Sequence, residues 1–548
     1  MAMEHTTSGP GRCLLVALSL TLAASAGCVG SITGLGGGDD DAPPVVTPGQ
    51  HCDDERPAAR QLRLLTRREY AATIHDLLGV DVDTASVPVE PRIKGFDDNA
   101  AAMVVTDRHM DAYLALAEDV SERAVTTQRA SLLHCDPNVA SCKREFVTDL
   151  GLRAFRRPLS DDEIDGFLAA FQSASFDDGM RVATAAMLIS PNFLYRWEIG
   201  DDSGTLTPYE TATTLSYLFW GTMPDPQLFD AAAAGELSTP EQITAQARRL
   251  LADPRARAQV NEFATQWLRT DGLTANKDAA IYPSFTDAVR NDMAEEQRRF
   301  FEHVIFEKNG SFQDLFDADY VYANAELAQF YGLQPGAGSD WAQVPVTPDS
   351  GRGGILGLGA LLASHAHSNE SSPIKRGVFV RARLLCQDLA PPPPDVDATP
   401  PGLDPTLTTR ERFAAHTENP ACSGCHQYID GVGFGFEGFD GVGARRTVEN
   451  GLPVDMSGAV VSLEGFDKAT SDPFNDTREL GQMLATSPTA QSCLPLQYFR
   501  YARGYAETVY DACTINNLQL DFSQGNLSLQ DMLIAVTASP TFTRRKVQ

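Results

Sequence analysis

The residues with the clearest chemistry in this sequence are two cysteines and a histidine, Cys422, Cys425 and His426, in the order C-x-x-C-H. Two thiols at this spacing can form thioether bonds to one haem, and the adjacent imidazole can bind its iron as the proximal ligand. With 10 Cys and 10 His in 548 residues, chance alone predicts roughly 0.003 such patterns. The spacing therefore predicts covalently attached haem c (heme c). The alternative is a short disulfide loop beside an ordinary histidine, and zinc is disfavoured because no second pair of ligands lies nearby.

Residues that follow the motif supply candidate contacts to the haem. Phe434 lies in a run of glycines and phenylalanines, 431–441, which predicts a wall for a flat macrocycle. The alternative is a glycine-rich turn with phenylalanines in the core. Arg445, with Arg446 beside it, is predicted to pair with the haem propionates. The alternative is that both arginines face the solvent.

The second axial ligand decides the chemistry of such a haem. Met456 lies C-terminal to the motif, as expected for a cytochrome c-like methionine ligand. It is the predicted distal ligand to the iron. His367 and His416 are the next candidates. An open sixth position would instead favour peroxide or oxygen chemistry.

The N-terminus predicts export. Arg12 precedes an apolar run, 13–24, which is typical of a signal peptide and too short to span a bilayer. The sequence Ser-Ala-Gly-Cys that follows resembles a bacterial lipoprotein cleavage box and predicts lipidation of Cys28. Ser25 stands where such boxes usually carry Leu, which leaves ordinary cleavage near Ala26 open. We therefore expect an exported lipoprotein of the cell envelope, in the periplasm or at the outer membrane.

Six cysteines remain outside the leader and the haem motif, and they suit three disulfides in an oxidising compartment. Proximity along the chain favours Cys135 with Cys142 and Cys493 with Cys513. Elimination then pairs Cys52 with Cys386.

The chain is predicted to be mainly α: a multi-helical body, a cytochrome c-like haem module and a C-terminal helical segment, with short β pieces only. Capping boxes such as Thr66-Arg67-Arg68-Glu69 open helices, and four consecutive prolines before the motif predict a semi-rigid strap. The predicted divisions are a signal peptide (1–28), a flexible tether (29–50), two helical modules (51–125 and 126–200), a central helical domain (201–345), the strap and haem-motif domain (346–465) and a C-terminal helical module (466–548).

Composition and charge narrow the function. The formal net charge of −29 argues against nucleic acid as a partner, and no stretch predicts a membrane span, so the membrane is reached only through the lipid anchor. Serine-hydrolase, P-loop and dinucleotide motifs are absent, so no catalytic residue is assigned and enzyme activity stays open. We expect electron transfer, with a redox partner protein or a small-molecule electron carrier. The alternative is a disulfide-stapled helical scaffold that binds carbohydrate or protein without redox activity.

Short stretches along the chain carry a family resemblance. They are 64–70 (LLTRREY), 155–159 (FRRPL), 190–196 (SPNFLYR), 215–221 (LSYLFWG), 352–356 (RGGIL), 372–377 (SPIKRG), 422–426 (CSGCH), 499–504 (FRYARG) and 539–542 (SPTF). In this order they resemble secreted multidomain proteins of planctomycetes and myxobacteria, built from domain of unknown function families 1587, 1595, 1592, 1588 and 1585. The resemblance implies a domain order and a haem motif, and it implies no reaction.

Overall fold

The computed structural model describes residues 43–172, 175–334, 340–389, 399–417, 420–461 and 471–547, without the side chains of 415–417, 420–422, 425 and 471. The predicted lipidation site, Cys28, lies outside the described residues. Within them the chain is mainly helical, and its strands form only two-stranded sheets, which confirms the predicted mainly α fold. No described helix is both long and apolar enough to cross a membrane.

Helices make up most of the N-terminal part of the chain, and several of them begin with a side-chain cap. The side chain of Thr66 accepts a hydrogen bond from the Glu69 amide, and Glu69 accepts one from the Thr66 amide, so the predicted capping box is present. Gly79 ends this helix with a φ of 70°, a conformation that glycine adopts without steric cost. The helices here are α1 (Arg67–Leu78), α2 (Asp107–Thr127), α3 (Arg129–Leu132), α4 (Cys142–Phe155), α5 (Asp161–Leu168), α6 (Phe176–Leu188) and α7 (Pro191–Leu194).

The central part of the chain continues the helical pattern. Proline occupies the first turn of three of its helices, after the N-cap residues Thr207, Asp225 and Thr239, where its missing N–H leaves no helical bond unmade. The helices are α8 (Pro208–Trp220), α9 (Pro226–Ala233), α10 (Pro240–Ala252), α11 (Arg255–Leu268), α12 (Asp287–Glu302), which runs on into a π-helical turn (His303–Glu307), and α13 (Ala325–Phe330).

The C-terminal part carries the C-x-x-C-H sequence with Cys422, Cys425 and His426, which is called the haem motif here after the cofactor predicted for it. Its helices are α14 (Gly359–Ser364), α15 (Pro373–Phe379), which runs on into a π-helical turn (Val380–Leu384), α16 (Thr409–Thr417), α17 (Pro420–Phe434), α18 (Thr477–Thr486), α19 (Pro488–Arg503), α20 (Ala512–Gln524) and α21 (Leu529–Ala538). Single 3-10 turns lie at Ala169–Phe171, Thr270–Thr274, Gln313–Leu315, Pro348–Ser350, Ile355–Gly357 and Val509–Asp511.

The strands pair in four antiparallel sheets of two strands each within the described residues. They are β1 (Gln61–Leu64) with β2 (Tyr195–Glu198), β3 (Tyr320–Ala323) with β4 (Ala342–Pro345), β5 (Val448–Glu449) with β6 (Leu452–Pro453), and β7 (Gly458–Val461) with β8 (Ser471–Phe474). The first sheet joins the two ends of the N-terminal helical part. The last one packs on α17.

Hydrophobic side chains collect in three buried clusters. The largest runs from Phe96 to Phe542 and includes Val432 and Phe436 from α17 and the turn that follows it. A second cluster joins the N-terminal helices, and a smaller one lies around α12, α13 and α14. The haem-motif helix is therefore part of the main core rather than a separate lobe.

Buried ion pairs tie the two ends of the chain together. Arg63 lies 2.5 Å from Asp98 and 3.3 Å from Glu198, and Arg545 lies 2.5 Å from Glu198. Burial raises the pKa of Asp98 to about 6. Burial alone would also raise the pKa of Glu198, but Arg545, Arg63 and Arg196 lower it well below the usual range. The cost of burying these charges is thus offset by several partners at once.

Within the residues that the structure describes, one carboxylate beside the third cluster has no charged group in hydrogen-bond contact. Glu296 on α12 is fully buried and accepts hydrogen bonds from the Tyr331 hydroxyl (2.6 Å) and the Gly359 amide (3.2 Å). The guanidinium of Arg352 stacks on the Tyr331 ring at 3.4 Å. Burial raises the pKa of Glu296 to about 7, because desolvation disfavours the charged form.

The disulfides are Cys52–Cys513, Cys135–Cys142 and Cys386–Cys493. The predicted pair Cys135–Cys142 is confirmed. The predicted pairs Cys493–Cys513 and Cys52–Cys386 are wrong. Cys493 lies in the second turn of α19 and faces the segment after the π-helical turn of α15, whereas Cys513 opens α20 and faces the N-terminal segment. Separation along the chain misled the prediction, because neighbouring helices point their cysteines at different partners.

Candidate functional site

The haem motif opens a long helix. Cys422, Cys425 and His426 lie in the first turns of α17, where residues three and four positions apart share one face. The side chains of Cys422 and Cys425 lie outside the described part, so the structure fixes their place on the helix and no more. Pro420 begins the helix, a position that suits its missing N–H.

His426 is oriented by a carboxylate one helical turn away. Its Nδ1 lies 2.8 Å from Oδ1 of Asp430, and the two side chains are 20% and 10% exposed. A carboxylate only accepts, so Nδ1–H donates and the ring lone pair is on Nε2. Such a hydrogen bond fixes the tautomer and direction of a metal-binding imidazole and raises its basicity. Asp430 was not predicted in this role from the sequence, although its spacing of four residues from His426 indicates such a pair on a helix.

Close packing of glycines holds α17 against α15. A Cβ built on Gly433 would overlap the carbonyl oxygen of Pro373, and one on Gly377 would overlap that of Ile429. Small residues let two helix backbones approach this closely without voids. Gly433 thus acts in helix packing. It lies inside α17 rather than in the glycine-rich turn that was the alternative for this run.

Two buried arginines donate hydrogen bonds to backbone carbonyl groups around the motif. Arg381 donates to the carbonyls of Tyr428 (2.7 Å) and Val461 (2.6 Å), which joins α17 to β7. Arg376 donates to the carbonyls of Phe436 (3.0 Å) and Phe439 (2.8 Å). Burial lowers the pKa of each arginine to about 10, well above neutral pH. The sequence analysis gave neither arginine a role, because nothing local predicts that a charged side chain will cap distant carbonyls.

Arg446, a candidate for pairing with propionates, is engaged inside the protein. Its guanidinium lies 2.6 Å from Glu437 and 2.9 Å from Glu449. Glu449 in turn accepts from the amide (2.8 Å) and hydroxyl (2.7 Å) of Thr409, the first residue of α16. Burial raises the pKa of Glu437, against the lowering effect of Arg446 and Arg376. This network fixes the entry of the chain into the motif.

Phe434 is the last residue of α17, and the other predicted site residues, Arg445 and Met456, follow it in the chain. Phe434 is buried, with the Arg410 guanidinium 4.7 Å from its ring centre. Arg445 donates to the Gly438 carbonyl (3.1 Å) and lies 2.9 Å from the sulfur of Met456. The structure thus brings Arg445 and Met456 together.

It does not bring Met456 to His426. Strand β7 runs antiparallel to α17, because Val461 shares Arg381 with Tyr428 while Gly458 packs on Gly431. Met456 precedes this strand and therefore lies toward the C-terminal end of the helix, away from the motif.

The other candidate ligands are placed as follows. His367 is partly buried, and burial together with Lys375 lowers its pKa. The side chain of His416 lies outside the described part. His365, beside these candidates in the sequence, donates from Nε2 to the Leu268 carbonyl (2.9 Å), and burial lowers its pKa to about 4. His365 is therefore a structural histidine.

These features define a class of protein: a mainly α, disulfide-bonded chain that carries a C-x-x-C-H motif on a helix anchored in its core. Five family models match it in the order that the motifs implied, each described as a protein of unknown function: DUF1587 (63–126), DUF1595 (142–198), DUF1592 (206–333), DUF1588 (352–449) and DUF1585 (471–542). The chain therefore contains these five domains, as the resemblance predicted.

The motif itself falls within the DUF1588 match. That family carries the short name PSCyt3, which hints at a cytochrome-like domain. No curated protein and no solved structure matches the chain.

Proposed function

We propose that this protein binds one haem covalently through Cys422 and Cys425, with Nε2 of His426 as the proximal ligand, and that it transfers electrons. A haem held in this way supplies a reversible one-electron couple. The single observation that supports the proposal best is the hydrogen bond from Nδ1 of His426 to Asp430. It gives the histidine of the motif the carboxylate partner that metal-binding imidazoles usually have.

The surroundings of the motif favour a relay. Arg381 and the glycine contacts between α15 and α17 hold the helix at several points, so the ligand stays in place when the charge on the site changes. Cys386 and Cys493 form a disulfide next to the π-helical turn that carries Arg381. We expect a redox partner protein or a small-molecule electron carrier to accept or deliver the electron.

Expression in a host with c-type maturation machinery tests haem attachment. Protein with covalent haem keeps its colour through acid–acetone extraction and gives a c-type pyridine haemochrome spectrum. The double variant Cys422→Ala, Cys425→Ala should lose it. The matched control Cys135→Ala, Cys142→Ala removes two cysteines of a disulfide in another domain and should retain it. A colourless wild-type protein would favour the alternative, a binding scaffold without redox activity.

Coordination distinguishes a relay from an enzyme. A relay should have a six-coordinate, low-spin ferric haem, which magnetic circular dichroism and resonance Raman spectroscopy report. Because Met456 lies away from the motif, His367 and His416 stay the candidates for the distal position, and replacing each in turn identifies the ligand. Rapid binding of carbon monoxide or peroxide to a five-coordinate iron would contradict electron transfer as the function and indicate catalysis instead.

We further propose that the protein is exported and anchored to the cell envelope by lipid on Cys28. The support is the sequence of the leader and its cleavage box. Mass spectrometry of the mature N-terminus should find an acylated Cys28, and Cys28→Ala should move the protein from the membrane fraction to the soluble one. An unmodified N-terminus near residue 27 would indicate ordinary signal cleavage.

A further inference from the structure

A pocket of about 400 Å³ lies between the strap and haem-motif domain and residues 281–282 of the central domain, and none of the motif residues lines it. Its walls come from four separate stretches, 281–282, 369–370, 403–412 and 440–450. Pockets of roughly 300–1,000 Å³ are the usual size for small-molecule sites. The chain thus builds a second concave site that the proposed haem function does not use.

The cations of this pocket are already paired. Arg412 lies 2.5 Å from Glu370, and Arg446 lies 2.6 Å from Glu437 and 2.9 Å from Glu449. These two arginines are the basic residues of the lining. A phosphate or carboxylate ligand would have to compete with buried ion pairs, which is costly because it leaves a charge unpaired. The pocket therefore disfavours anions.

Several polar groups nevertheless point to a hydrogen-bonding ligand. Within the described residues the side-chain amide of Asn369 makes no hydrogen bond, although it offers two donors and an acceptor. Oδ1 of Asp440 accepts from the amides of Val442 (3.0 Å) and Ala444 (2.8 Å), and Oδ2 keeps its acceptor capacity. Burial raises the pKa of Tyr282 to about 12, so its hydroxyl stays protonated.

Apolar groups at the rim complete the lining. Ile281 and Leu403 are 45% and 59% exposed and lie beside the polar groups. Among the residues that the structure describes, no group of three or more His, Cys, Asp and Glu is arranged to hold a metal ion. These walls suit a neutral ligand that carries hydroxyl groups, which both donate and accept, and that has C–H faces.

We propose that this pocket binds a neutral polyhydroxy ligand, of the chemical class of a mono- or disaccharide. The hydroxyls of such a ligand match the amide of Asn369, the phenol of Tyr282 and the carboxylate of Asp440. Its C–H faces match the apolar rim. This inference is independent of the proposed haem function and needs no redox chemistry.

Saturation-transfer difference NMR on the full chain tests it, with cellobiose, maltose and lactose as neutral probes and glucose 6-phosphate as the charged one. We expect at least one disaccharide to bind, and to bind better than glucose 6-phosphate. Asn369→Ala should weaken that binding about fivefold, the effect of one hydrogen bond. The neighbouring Ser368→Ala should leave it unchanged, and Leu403→Trp should weaken it by filling the rim.

Circular dichroism and thermal unfolding confirm that each variant is folded. Binding of no disaccharide to the folded wild-type chain would overturn the proposal. So would preferential binding of glucose 6-phosphate, or equal binding by wild type, folded Asn369→Ala and folded Leu403→Trp. Because the measurement does not depend on haem, its failure leaves the proposed redox function untouched.

Discussion

We expect replacement of Asp430 by Asn to raise the reduction potential of the proposed haem. The side chain keeps its size, and its amide oxygen can still accept from Nδ1 of His426, so the imidazole keeps its tautomer and direction. Only the negative charge is removed. That charge stabilises the ferric state, which carries one more positive charge than the ferrous state, and the substitution therefore favours reduction.

The size of the effect follows from the geometry. The two groups are 2.8 Å apart and only 20% and 10% exposed, so solvent screens them little. A hydrogen bond to a charged group contributes about 1.5–3 kcal/mol, and one between neutral groups about 0.5–1.5 kcal/mol. The difference between the oxidation states is then about 1 kcal/mol, which corresponds to a rise of about 40 mV for a one-electron couple.

Spectroelectrochemical titration of wild type and variant at the same pH and ionic strength measures this shift. Asp81→Asn is a matched control, because it removes the carboxylate of another His–Asp pair, 2.9 Å from His75, in the DUF1587 match. It should leave the potential unchanged. A fall in potential in Asp430→Asn, or no change with haem content intact, would refute the assigned role of Asp430.

Other substitutions test the packing and electrostatics around the site. Gly433→Ala should lower the free energy of unfolding by about 1–3 kcal/mol, because the new Cβ overlaps backbone atoms of α15. Gly424→Ala is the control, because its Cβ meets open space and the free energy of unfolding should stay the same. Equal urea midpoints for the two variants would contradict the packing argument. The pKa of Glu296 is raised to about 7 in the folded protein. Its contribution to stability is therefore present below about pH 4.5 and lost as the pH rises through 7. Glu296→Gln should flatten that part of the curve of stability against pH, and an unchanged slope would refute the raised pKa. Removing the Cys386–Cys493 disulfide, which closes a separation of 107 residues, should cost about 2–5 kcal/mol in denaturant unfolding.

Local sequence rules predicted what depends on local structure. The capping box at Thr66 and the disulfide between Cys135 and Cys142 involve residues within a few positions of one another, and both were correct. The family motifs also predicted the order of the five domains. The pairing of Cys493 failed because it depends on which way each helix of the C-terminal part is turned, and helix rotation is set by tertiary packing.

The environment of the motif shows the same limit. Arg376 and Arg381 bind carbonyl groups from segments more than forty residues away, and a sequence pattern gives no sign of such partners. Arg446 was predicted to bind a haem propionate from its charge alone, but its guanidinium is paired with Glu437 inside the protein. Asp430 differs from these residues, because its (i, i+4) spacing from His426 on a helix indicates that the two side chains can pair.

The helical body is larger than the proposed electron transfer requires. The hydrophobic core explains its size, because the core packs the motif helix against this body. Val432 and Phe436 belong to the same buried cluster as Trp267 of the DUF1592 match and Tyr498 of the DUF1585 match. A fragment limited to 346–465 would expose this apolar face of the motif segment, and burial of each large side chain contributes about 1.5–3 kcal/mol. The haem-motif domain is therefore expected to depend on its neighbours for stability.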